Sequence, residues 1–225
     1  MSYALYSMRQ CKIKIREMKD VNDDNYITKL WTMEIKSQKN QQVYKVINSA
    51  IIMDGSYAFG LTKYLTDYHI KIVEDTGFSY KQILKKSMKY IRLLNSCIVD
   101  EGRAHNEIDR AVFRGVPAKL FQNIEVGDAF RIVNWNWTSE SIDIAKYFAS
   151  NEGGEETIVK FNVKKGCYNA GIINKIGRSC TKSEEETLIP PYSHCKFEKK
   201  EEDGTIVLNL AYDNKDQSLD GKKSY

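Results

Sequence analysis

Proline is nearly missing from this sequence: it occurs three times in 225 residues, and two of the three are adjacent at Pro190-Pro191. Punctuation is therefore left to glycine and polar turns, and the paired prolines mark a deliberate stop. Cysteine is sparse and odd in number. Cys11, Cys97, Cys167, Cys180 and Cys195 fall at scattered spacings with no CxxC, which argues against zinc and favours reduced intracellular thiols. Long apolar runs are lacking too. No stretch is apolar enough to span a bilayer, and the N-terminal MSYALYSMRQCKIKIREMKD has no signal-peptide core. The expected location is cytoplasmic, or outside the cell after export by a route without a classical signal. Strong charge is lacking as well. A net +4 falls short of the dense basic patch of a nucleic-acid binder, and such a partner is not expected. Of the histidines, His194 and Cys195 are sequence neighbours that an extended strand would turn to opposite faces, which makes a poor catalytic pair.

What the chain does contain is ordinary for a globular protein. Hydrophobic residues make up 42% and charged residues 28%, enough for one substantial core. The first half reads as helical. Val43, Val46, Ile47, Ala50 and Ile51 recur at helical spacing, with Asp54-Gly55 as the expected stop. Leu84, Met88, Ile91, Leu94 and Ile98 mark a further helix, closed by Asp100-Glu101-Gly102. The second half reads as strands. IDRAVFRG is a short strand ending in glycine. DAFRIVNWNWTS reads as one strand with Val133, Trp135 and Trp137 on one face, and SIDIAKYFAS as a helix. ETIVKFNV alternates, and KFEKK with TIVLNLAY forms a hairpin through the polar turn EEDG. The fold class expected is α+β: a mainly antiparallel β core of two packed sheets, with an N-terminal helical part beside it.

Three modest signals follow one another along the strands. In Phe113-Arg114-Gly115, an arginine at a strand end can grip phosphate or carboxylate through paired charged hydrogen bonds. The glycine after it lets a ligand approach bare backbone. In WNWTSES, Ser139 and Ser141 either cap the next helix or hold a carboxylate in position, and that helix carries Phe148. In KSEEETLIPPY, alternation puts Glu184 and Glu186 on one side of an extended strand, with Glu185 and Thr187 on the other. Like charges on one face repel, so a surface must solvate them or a site must use them.

Taken in that order, the arginine–glycine, the aromatic–Thr-Ser-x-Ser and the Glu-x-Glu before LIPP resemble the arginine-specific mono-ADP-ribosyltransferases. That group includes vertebrate ecto-enzymes and bacterial toxins and effectors. The resemblance covers roughly residues 80 to 212, with two departures. Glu140 is an acid where the family has a small or hydroxyl residue, and Thr187 stands where an aliphatic is common. By alternation Glu140 points away from Ser139 and Ser141.

The resemblance implies that NAD is consumed as a substrate with no metal, and that ADP-ribose passes to a guanidinium. Glu186 would stabilise positive charge on the ribose, Glu184 would hold and partly deprotonate the acceptor, and Ser139 would orient Glu186. Arg114 would bind the dinucleotide's phosphates, Gly115 would present backbone to the nicotinamide amide, and Phe148 would stack on the ring. The implied partners are NAD and a protein presenting arginine, and a monomer is expected. The alternatives are an NAD glycohydrolase and a non-catalytic binding module of the same fold. The expected organisation is a helical segment over 1–75, a catalytic core over 76–212 and a disordered tail over 213–225.

Overall fold

The computed structural model describes residues 43–59, 65–150, 156–172 and 186–211. The expectations for residues 1–40 and for the tail lie outside them. The chain divides into two compact units, with the break between Ser96 and Cys97.

The described part of the first unit is helical. Helix α1 spans Val43–Phe59 and α2 spans Asp67–Glu74. Helix α3, Tyr80–His105, starts in this unit and ends in the second. Val46, Ala50 and Met53 of α1 share one buried apolar cluster with Ile72 and Val73 of α2 and Ile83 of α3. Helix α1 does not stop at Asp54-Gly55 but continues to Phe59. A glycine inside a helix costs only about 1 kcal/mol, and burial of the apolar residues Ile47, Ala50, Ile51 and Met53 of the same helix offsets it. Helix α2 ends just before Thr76-Gly77: the Thr76 hydroxyl donates to the Val73 carbonyl at 2.6 Å, and Gly77 takes φ +68°. Helix α3 also outruns its expected end at Gly102, and its stripe is rotated. Ile83, Tyr90, Leu94 and Ile98 are buried while Met88 is exposed.

The last turns of α3 belong to the second unit and explain why Gly102 does not end the helix. A Cβ at 102 would lie 2.8 Å from the Cys167 carbonyl and 3.0 Å from that of Ala170. Gly171 makes the matching concession, since a Cβ there would lie 2.9 Å from Ile98 Cα. The two glycines let helix and loop backbones touch. Asn106 fastens the contact, donating from Nδ2 to the carbonyls of Cys167 and Ala170 at 2.5 and 2.9 Å.

Among the described residues eight strands follow: β1 Arg110–Pro117, β2 Ala129–Ile132, β3 Asn136–Ser139, β4 Glu156–Val163, β5 Gly171–Ile172, β6 Glu186–Ile189, β7 Ser193–Lys200 and β8 Ile206–Leu210. Helix α4, Ile142–Ser150, joins β3 to β4. The strands run in the order β2-β7-β8-β4-β1-β3-β6-β5. All pairs are antiparallel except β4 with β8. The mixed α+β architecture with a mainly antiparallel core is as expected. The two expected sheets are joined, because β4 pairs β1 on one edge and β8 on the other. One apolar cluster takes Phe130 and Ile132 from β2, Val159, Phe161 and Val163 from β4, and Ile189 from β6. The stretch 129–139, read as one strand, is two. β2 pairs β7 at one end of the order, whereas β3 lies between β1 and β6. After β6, Pro190-Pro191 turn the chain back into β7, with Tyr192 at φ +60°.

Candidate active site

The three sequence signals fall on three adjacent strands. β1 pairs β3 at Phe113↔Ser139, and β3 pairs β6 at Ser139↔Glu186. Phe113, Ser139 and Glu186 therefore form one row across the sheet. Residues directly opposite in antiparallel strands have Cβ atoms about 4.5–5.5 Å apart and share a face, so Ser139 and Glu186 stand side by side. Ser139 is buried and Glu186 half-buried.

The two serines divide the work that the sequence left open between them. Ser141 precedes α4. Its Oγ accepts from the Ile144 N–H at 3.5 Å and its carbonyl from the Ala145 N–H at 3.2 Å, which makes it the helix N-cap. Ser139 stays in the strand, and its Oγ accepts from the Ser141 N–H at 3.0 Å. A hydroxyl that accepts from backbone keeps its own proton to donate, and the residue opposite it is Glu186.

Arg114 follows Phe113 on β1, opposite Val159 of β4. By alternation it starts on the face away from Ser139. Among the described residues Phe113↔Ser139 is the one pair joining β1 to β3, and the guanidinium meets two side chains of β3. It lies 4.3 Å from the centroid of the Trp137 ring, and its Nη1 donates to Asn136 Oδ1. Asn136 is steadied in turn by donating from Nδ2 to the Asn134 carbonyl at 3.1 Å. Trp137 lies two residues before Ser139, on the same side of β3. The ring face attracts the cation and the amide oxygen fixes its orientation, so Arg114 is held from β3 by two side chains.

Gly115 is packed beneath α4. A Cβ there would lie 2.4 Å from Ala149 Cβ and 3.0 Å from the Ala145 carbonyl, so helix packing alone requires glycine. Ala145 and Ala149 are the buried residues of α4. Phe148, next to Ala149, is 46% exposed and stands edge-on to Tyr147 with centroids 5.6 Å apart. It is no core residue. Glu184 lies outside the described residues, as does Glu185, so Glu186 is the acid of that run with a described position.

The sequence reading missed two participants: Asn136 and the ring of Trp137 as a seat for Arg114. Asn136 and Trp137 were visible only as neighbours of the serines, and their contact with Arg114 depends on β1 lying beside β3. Trp135, by contrast, is fully buried. His194 and Cys195 are both buried on β7. Burial, and then the nearby Cys167, push the Cys195 thiol far up, so it is no nucleophile. Among the described residues no group of His, Cys, Asp and Glu could hold a metal ion. No helix among them is long and apolar enough to cross a membrane.

The fold is shared with solved enzymes. The ADP-ribosyltransferase Vis, in complex with agmatine, superposes with a TM-score of 0.53 at 14% identity, over 91% of this chain and 80% of that one. The Vis toxin, described as an ADP-ribosyltransferase from Vibrio splendidus, gives 0.50 at 15% identity, over 93% and 81%. No curated protein sequence matches the chain. The family model NAD:arginine ADP-ribosyltransferase matches residues 37–218, a span that contains all three strand motifs. The chain belongs to the NAD:arginine ADP-ribosyltransferase family and is an NAD-dependent ADP-ribosyltransferase.

Proposed function

We propose that this protein transfers ADP-ribose from NAD to arginine side chains of a protein, releasing nicotinamide. One observation carries the reading: the row Phe113–Ser139–Glu186, with Arg114 beside its first member and fixed over Trp137. It supports a site in which a fixed cation, an orienting hydroxyl and a carboxylate meet within three strands.

The roles follow from the chemistry. Breaking the bond between nicotinamide and ribose sends the bonding electrons to nicotinamide and leaves positive charge on the ribosyl carbon. A carboxylate placed where that charge develops lowers the barrier, and this is the part given to Glu186, oriented by the Ser139 hydroxyl. Arg114 is a cation for the dinucleotide's phosphates, already held so that little freedom is lost on binding. Gly115 offers its backbone edge to the nicotinamide amide. Phe148, exposed on α4, supplies a ring face for the nicotinamide. The acceptor guanidinium is protonated in water and a poor nucleophile. As its nitrogen bonds the ribosyl carbon it must release a proton, and Glu184 is the group assigned to hold it and take that proton. The Vis complex with agmatine is consistent with a guanidinium acceptor in this fold.

The test uses NAD with and without agmatine, reading both nicotinamide release and the ADP-ribosylated product. Glu186→Gln is expected to lower both by about 100-fold or more, the size seen when one charge-stabilising group is lost. Glu184→Gln is expected to remove arginine transfer while NAD hydrolysis persists. Normal agmatine transfer by Glu184→Gln overturns its assignment. Nicotinamide release with no agmatine product, in the wild type, makes the protein an NAD glycohydrolase instead.

A further inference from the structure

The two positions at which the sequence departs from the family's pattern, Glu140 and Thr187, contact one and the same side chain. Arg110, the first residue of β1, donates from Nη1 to Glu140 Oε1 at 2.6 Å and to Thr187 Oγ1 at 2.8 Å. Its Nε donates to Asn106 Oδ1 at 3.0 Å. The Arg110 side chain is 12% exposed and that of Glu140 40%, while Thr187 is fully buried. Glu140 sits between the two serines of the β3–α4 corner. Thr187 follows Glu186 on β6 and, by alternation, turns to the opposite face. One guanidinium thus spans β1, β3 and β6 behind the row that carries the chemistry. It grips the corner next to Ser139 and the strand next to Glu186.

We infer that Arg110 is a positioning residue for this site, setting the spacing of Ser139 and Glu186 from behind the sheet through Glu140 and Thr187. The inference rests on the assignment of Ser139 and Glu186 proposed above. Three features favour it over a merely decorative surface pair. A guanidinium as buried as that of Arg110 is costly unless its donors are engaged, and here Nη1 and Nε together have three partners, leaving Nη2 as the one buried donor without one. The Thr138 hydroxyl adds a parallel tie on that face, donating to the Thr187 carbonyl at 2.7 Å. Asn106 extends the chain of bonds to the loop 167–170, which leads into β5, the other neighbour of β6. The strand bearing Glu186 is therefore located from both sides. Arg110 and Glu140 belong to neither the row nor the Arg114 seat, so their effect is indirect: they fix where the hydroxyl and the carboxylate meet.

The test is steady-state nicotinamide release over a range of NAD concentrations, normalised to folded protein by circular dichroism, for Arg110→Met, Arg110→Lys and Glu140→Gln. Misplacing a reacting group by about 1 Å can cost about 100-fold, so Arg110→Met is expected to lower kcat by about 10- to 100-fold. The KM for NAD is expected to change by less than about three-fold, since Arg114 and its seat are untouched. Arg110→Lys keeps one charged donor and is expected to fall between the two. Glu140→Gln is expected to lower kcat several-fold, and in combination with Arg110→Met to add little, because both remove the same contact. A kcat per folded molecule equal to wild type in Arg110→Met overturns the inference and leaves Arg110 a structural residue. If Arg110→Met does not fold, wild-type kcat in both Arg110→Lys and Glu140→Gln overturns it equally. Glu186→Gln is assayed alongside. Full activity in that variant overturns the site itself, whereas its loss together with an active Arg110→Met overturns this inference alone.

Discussion

A methyl group at position 115 would have to occupy space already taken by Ala149, at 2.4 Å from its Cβ. Overpacking of this kind costs about 1–3 kcal/mol. Gly115→Ala is therefore expected to lower the melting temperature, by about 2–4 °C for each kcal/mol in a chain of this size. The compensating Ala149→Gly should recover part of the loss, less the helix propensity it gives up. Thermal unfolding of the two single variants and the double checks this, and additive losses would show that the contact is not the cause. The result also separates two demands on one residue. A double variant that regains stability but not activity would assign the backbone of 115 a part in binding the dinucleotide. The same scale explains Glu140. Its acid looks misplaced beside a site for a polyanionic dinucleotide, yet its charge is spent on Arg110, 2.6 Å away, behind the sheet.

At the scale of elements, helix α2 carries a proton-sensitive start. Its first turn is closed by His69, whose Nδ1 accepts from the Thr66 N–H at 3.4 Å and lies 2.8 Å from the Thr66 hydroxyl. Only the neutral imidazole can accept there, and burial pushes its pKa below the ordinary value. The folded state then binds fewer protons than the unfolded one around about pH 6.5. The stability it contributes is present above that pH and is lost as pH falls through the lowered folded value. Relative to its intrinsic rate, which itself slows as pH falls, amide exchange in α2 is expected to be faster at pH 5.5 than at pH 7.5. In His69→Gln, which keeps an acceptor at the third helical position, that excess should vanish. Equal exchange profiles for the two proteins would remove His69 from the account. The element scale is also where the sequence was most and least legible. β1, β4 and β8 carry their period in their own residues, and the end of α2 carries its own stop at Thr76-Gly77. The division of 129–139 into β2 and β3 has no local mark, because it is decided by β7 and β6, far downstream in the chain. Gly55 and Gly102 look like stops when read locally. Tertiary packing overrides both, in the case of Gly102 because carbonyls of Cys167 and Ala170 need the space. The motif residues themselves were legible in order, while Asn136, Trp137 and Arg110 acquire meaning only once β1, β3 and β6 are known to be neighbours.

For the molecule as a whole, each unit has a core of its own. One is the cluster shared by α1, α2 and the start of α3, and the other is the sheet cluster from β2 to β8. Every described candidate site residue lies beyond Cys97, in the second unit. A ligand that binds only the folded state stabilises it by mass action, by about 2.7 kcal/mol at 100 times Kd. Glu186→Gln is suited to the measurement, because it should bind NAD without consuming it. Trp135, fully buried, and Trp137, under the Arg114 guanidinium, both report from the second unit, and with the third tryptophan removed by Trp31→Phe tryptophan emission follows the unit that holds the candidate site. Saturating NAD is expected to raise the melting temperature read by that emission, and nicotinamide alone to raise it far less, because it lacks the phosphates that Arg114 would hold. Removing that cation with Arg114→Met in the same Glu186→Gln background should abolish most of the shift. A shift that survives Arg114→Met unchanged would mean the dinucleotide binds elsewhere, and the row across β1, β3 and β6 would lose its claim to be the site.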